Sequence, residues 1–183
     1  MVKCTGYKPG ALEDRYSSDG VFLYDRLNKS DMEMLELTIR CHNMYRIPQG
    51  LNRREQAFCN VLRDADKVDI FKVNIDTPLE EIYNTTTEEL MKSDITDEVL
   101  EAFGEEHCIL KAIRRTPADT VIGHVSLAYE LVYDESVRIT VEQGYLGKLM
   151  HFHSDNEETN RKMAMVREKM DSHVKKRIGK KDA

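Results

Sequence analysis

With 183 residues, 40% of them apolar and 33% charged, the chain suits a single soluble domain with enough apolar residues for a sizeable core. A formal net charge of -6 argues against nucleic acid as a partner. No apolar run approaches the roughly 20 residues of a membrane span, and Met1 to Gly10 contains no apolar segment of the signal-peptide kind.

The four cysteines (Cys4, Cys41, Cys59 and Cys108) lack the C-x-x-C spacing of a zinc or redox site. They are read as reduced thiols of a cytoplasmic protein, with Cys41 and Cys59 as small buried apolar residues.

Residues 1–20 show no helical period and are punctuated by Gly6, Pro9, Gly10, Ser17, Ser18 and Gly20, so they read as an irregular lead-in that once connected something upstream. Ser30 and Glu33 have capping-box spacing, and Leu35, Ile39 and His42 then share one helical face. Pro48 and Gly50 end that helix in a turn. Asn52 and Glu55 repeat the capping-box spacing, and Phe58, Leu62, Ala65, Asp66 and Asp69 form one stripe on the helix that follows. A stripe that passes from apolar to acidic implies a cation, because a buried carboxylate needs something to pair with.

The segment from Asp76 to Glu106 is acidic and fits two short helices, Thr87 to Met91 and Asp97 to Phe103, the second with Thr96 as its cap. Thr116-Pro117 starts another, whose buried face is predicted to be Val121, Val125, Ala128 and Val132. A helix from about Glu135 ends at the C-cap glycine Gly144. The last helix covers 156–178, with an apolar stripe of Met163, Val166, Met170 and Val174. It reads as a surface helix packed by one face, or alternatively as a dimer seam. Lys175, Lys176, Arg177, Lys180 and Lys181 read as its solvated basic end. No βαβ alternation, glycine-rich phosphate loop or fixed repeat is seen. The expected fold is therefore all-α, with about seven helices in one domain spanning 1–183.

The segment from Ile39 to Val73 carries the candidate chemistry. It places His42 at the end of one helix and Asp64, Asp66 and Asp69 in the next, and a hairpin at Pro48-Gly50 is expected to set the two side by side. Imidazole nitrogen and carboxylate oxygen are suitable ligands for a divalent cation. On the residues alone, His42 reads equally as a satisfied core residue, Asp64 as a partner of Arg63 or Lys67, and Asp69 as a partner of Lys72. His151 and His153 form an H-x-H pair but read as exposed loop residues, and His107, His124 and His173 read as isolated.

Three segments, in order, resemble the HD-domain superfamily of metal-dependent phosphohydrolases. RDADKVDIFKV resembles the closing motif, in which an alanine-aspartate pair on a helix supplies the last metal ligand. IRCHNMYRIPQGL resembles the HN-x-Y-x-IP-x-GL stretch just upstream of it in a bacterial branch, and LAYELVYDESVRITVEQGYLGKLM resembles that branch's C-terminal helices. The resemblance runs from about Ser18 to Ile178. It implies an HD-like helical bundle, one or two divalent cations (Mn, Fe, Ni, Zn or Mg), and a nucleotide or other phosphate ester as ligand. It makes Asp66 the catalytic metal ligand, His42 an additional metal-binding histidine, and Asp64 a neighbouring metal-site carboxylate.

The sequence also departs from that pattern. The family's first His and its His-Asp pair belong upstream of residue 18, where this chain has no histidine, and Tyr16, Ser17 or Ser18 stands where another is expected before Gly20. The resulting expectation is an N-terminally incomplete, truncated or degenerate HD protein with impaired or no hydrolysis. It would bind no metal if fully degenerate, and exposed apolar surface would recruit a partner or a second copy of the chain. The alternative is an active phosphohydrolase whose missing ligands come from a complementary N-terminal half on another chain or from unrecognised residues.

Overall fold

The computed structural model describes residues 27–179. The irregular lead-in, Cys4, the positions expected for the missing histidines, Lys180 and Lys181 all lie outside them.

The fold of the described residues is all-α, with no strand among them. Nine α-helices are described: α1 (Lys29–Cys41), α2 (Arg53–Asp76), α3 (Leu79–Tyr83), α4 (Thr87–Lys92), α5 (Asp97–Gly104), α6 (Pro117–Val125), α7 (Asp134–Gln143), α8 (Tyr145–Met150) and α9 (Glu157–Ile178). Two 3-10 turns, Lys111–Ile113 and Ser126–Glu130, flank α6. No helix among the described residues is long and apolar enough to cross a membrane.

Several helix ends fall where local chemistry puts them. Asn52 and Glu55 form a full capping box at α2, and Thr116 caps α6 with Pro117 in its first turn. Gly144 closes α7 with φ 73°, a left-handed conformation that costs glycine nothing. Asn156 caps α9 by accepting from the amides of Glu158 and Thr159. The start of α1 differs from expectation. Asn28, not Ser30, accepts from a first-turn amide, that of Asp31, and the helix stops at Cys41, well short of Pro48.

α2 is the spine of the fold, packing against α1, α6, α7 and α8. Its second half enters the core through Phe71. There it joins Leu90, Ile95, Val99 and Phe103 from the acidic segment, Val121, Ile122 and Val125 from α6, and Met163, Val166 and Met170 from α9. Met165 stays exposed, so α9 does pack by one face. The predicted buried face of α6 holds for Val121, Val125 and Ala128 but not for Val132, which is 47% exposed. The α-helix ends at Val125 and the 3-10 turn that follows changes the angular step, so a stripe counted at 3.6 residues per turn loses its face.

α1 and α2 lie side by side, but not as an antiparallel hairpin. Asp31 meets Arg54 at 2.8 Å, the Cys41 thiol meets Cys59, and the carbonyls of Met44 and Tyr45 meet the Arg63 guanidinium. These contacts advance in the same direction along both helices, so the pair is parallel, and residues 42–52 return the chain to the starting end. Gly50, at φ 87°, takes a left-handed turn in that return. Parallel pairing brings two partly positive helix starts together, and the first-turn carboxylates Asp31 and Glu55 offset this.

One buried carboxylate fastens the acidic segment to the core. Asp119 is fully buried in the first turn of α6 and accepts from the amides of Thr96 (2.8 Å), Arg115 (2.8 Å) and Thr116 (3.1 Å) and from the Thr96 hydroxyl. Thr96 therefore serves Asp119 and does not cap α5 with its side chain. Asp119→Ala leaves three amides without their acceptor and is expected to lower the unfolding free energy by about 3 kcal/mol or more, measured by urea denaturation.

Candidate functional site

Asp64 is 2% exposed, and main-chain amides occupy its carboxylate. Oδ1 accepts from Val132 N–H at 2.9 Å, and Oδ2 accepts from the amides of Val132 (3.1 Å) and Tyr133 (3.0 Å). These amides lead into α7, whose N-cap Tyr133 contributes no capping side chain of its own. Asp64 thus caps α7 from another helix, placing a negative charge where the helix dipole favours one.

Asp66 lies two residues on, a rotation of roughly 200° about the α2 axis, so its half-buried side chain leaves the helix on nearly the opposite side. Asp69 is exposed. The local pairings weighed from the sequence act only through charge and not as direct contacts: Lys72 bonds Asp76, and the Lys67 amine donates to the Arg63 carbonyl at 3.3 Å.

His42 is the C-cap of α1, with Nδ1 2.6 Å from the Ile39 carbonyl. A carbonyl only accepts, so Nδ1 is the donor in this contact. Among the described residues no group of three or more His, Cys, Asp or Glu side chains comes together to hold a metal ion. His151 and His153 are exposed, as the sequence suggests.

Two polar clusters are buried along α2, and sequence reasoning finds the residues of the first, Asp64, Arg63 and Lys67, but not those of the second. In the first, Arg63 and Lys67 are buried beside Asp64. The Arg63 guanidinium lies 3.8 Å from the Glu130 carboxylate, and burial pushes the Lys67 amine below its ordinary range. In the second, the Asn74 side-chain oxygen accepts from His124 Nδ1 (2.7 Å) and from the Tyr83 hydroxyl (3.0 Å), while its amide donates to the Ile70 carbonyl. Burial, followed by the charges of Arg114 and Lys111, holds His124 down at about 4, and burial raises Tyr83. Residues 67, 71 and 74 recur at helical spacing, the signal that a Lys and an Asn share the buried face of Phe71.

Comparison of the chain with family models, with curated proteins and with solved structures found no match.

Two predictions follow from these networks. Asp64→Ala strands the amides that open α7, so stability is expected to fall by about 2–4 kcal/mol, and Mn or Zn salts are expected not to restore the melting temperature. His124 is neutral in the fold down to about pH 4 but titrates near 6.5 when unfolded. The unfolded chain therefore binds more protons between those values, and stability is lost as pH falls from about 6.5 towards 4, on the order of 3 kcal/mol in total. His124→Asn is expected to flatten the melting-temperature profile across that window in a pH series.

Proposed function

We propose that this chain is an HD-type helical domain in which metal-dependent hydrolysis of phosphate esters is impaired or lost and the fold serves as a binding or interaction module. The observation that carries the reading is the occupation of Asp64. In the RDADKVDIFKV segment that resembles the family's closing motif, this carboxylate gives its oxygens to the amides of Val132 and Tyr133. Asp66, the position that resembles the last metal ligand, projects to the other side of α2 and is left with His42 as its one proposed companion. Two protein donors hold a divalent ion loosely and leave most of its shell to water, far from the tuned water of a hydrolytic centre.

The test is direct. The purified chain is equilibrated with Mn, Fe, Ni, Zn or Mg, freed of excess ion and assayed for metal content and for turnover of p-nitrophenyl phosphate and nucleoside triphosphates. The expected result is substoichiometric metal and turnover indistinguishable from that of Asp66→Ala. One ion per chain with turnover abolished by Asp66→Ala would establish the alternative, an active phosphohydrolase that recruits further ligands.

A further inference from the structure

α2 turns an apolar face outward. Phe58 and Val61 are 45% and 58% exposed, and Ala65 is exposed as well. At about 100° per residue, Arg54, Phe58, Val61, Ala65 and Asp69 fall within roughly 80° of one another, and Leu62 borders them. Charge closes the stripe at both ends, with Arg54 one turn before Phe58 and Asp69 one turn after Ala65. The Arg54 guanidinium lies 5.7 Å from the Phe58 ring centroid, and 59% of its side chain remains exposed although it pairs with Asp31. Val132 and Tyr133, 47% and 36% exposed, are tied to α2 by Asp64.

We propose that this stripe is the contact between two copies of the chain, with their α2 helices antiparallel about a two-fold axis that passes between Val61 and Leu62. The inference rests on this exposed face and not on the HD reading. The residue pattern is self-complementary in that arrangement. Phe58 faces the partner's Ala65, a large ring opposite a small side chain, and Val61 faces the partner's Leu62. Arg54 faces the partner's Asp69, and symmetry repeats each pairing. A parallel arrangement would set Arg54 against Arg54, Asp69 against Asp69 and Phe58 against Phe58, so charge and volume both select the antiparallel one. A second copy buries the apolar stripe while leaving the charged ends at a solvated rim.

Sedimentation velocity on the full chain over a concentration series tests this. The mass is expected to rise from the 21.2 kDa of one chain towards twice that value. Val61→Glu sets a carboxylate in the middle of the seam and is expected to keep the chain monomeric with an unchanged circular dichroism spectrum, since Val61 is mostly exposed. Arg54→Glu and Asp69→Arg are each expected to weaken association about fivefold or more, and the double substitution, which restores opposite charges across the axis, to recover it. A wild-type chain that stays monomeric at every concentration, a Val61→Glu variant that still dimerises, or a double substitution no better than the singles would each overturn the proposal.

Discussion

A carboxylate taken out of water must find donors inside the protein, and here two such carboxylates govern how the helices are joined. Asp119 and Asp64 both meet the demand with main-chain amides at or near the start of a helix. Asp119 draws in the amide of Thr96 from the acidic segment, and the Thr116 hydroxyl reaches the Asp94 carbonyl of the same segment. Asp64 reaches from the middle of α2 to the turn before α7, and from the other side Arg177 of α9 donates to the carbonyls of Leu131 and Val132 and pairs with Asp134 at 2.7 Å. The segment 131–134 is therefore gripped by an anion at its amides and a cation at its carbonyls. Each charge lies at the end of the peptide dipole that favours it.

The same economy bears on the proposed chemistry. A carboxylate that caps a helix and one that ligates a metal make competing use of the same lone pairs. Asp64 is committed to the first use, and removing it would strand two amides. Helical geometry then separates it from Asp66, since residues two apart share no face. A site built on α2 alone can offer one of these aspartates to a given cavity, so any metal chemistry would need donors from other elements.

Local signals were the legible part of the sequence. Asn52 with Glu55, Thr116-Pro117, Gly144 and Asn156 mark helix ends because caps are made by residues within three or four positions of each other. The buried stripe of α9 was legible for the same reason, since Met163, Val166 and Met170 repeat at the helical period. What a period does not encode is which side of the molecule a stripe faces. Phe58 and Ala65 form the stripe that the sequence displays, yet α2 buries the neighbouring set, Cys59, Arg63, Asp64 and Lys67. The parallel pairing of α1 with α2 escaped for a related reason. Pro48 and Gly50 announce a turn, but residues 42–52 are long enough to carry the chain back before α2 begins, and nothing local fixes the direction.

The middle of α2 thus departs from an ordinary surface helix, with Arg63, Asp64 and Lys67 inside beside Cys59 and with Phe58, Val61 and Ala65 outside. The inner set is made tolerable by the main chain: Arg63 donates to the carbonyls of Met44 and Tyr45, and Lys67 to that of Arg63. Among the described residues the outer set has no such compensation. A buried Val or Phe side chain contributes about 1.5–3 kcal/mol relative to an exposed one, and a monomer with Phe58 45% and Val61 58% exposed forgoes about half of that. A helix satisfied on its polar side and unsatisfied on its apolar side has reached its energetic minimum only when something apolar lies across it. Because Arg54 and Asp69 bracket the stripe with opposite charges at equal distances from its centre, the surface that fits this requirement best is the same stripe turned through a half rotation.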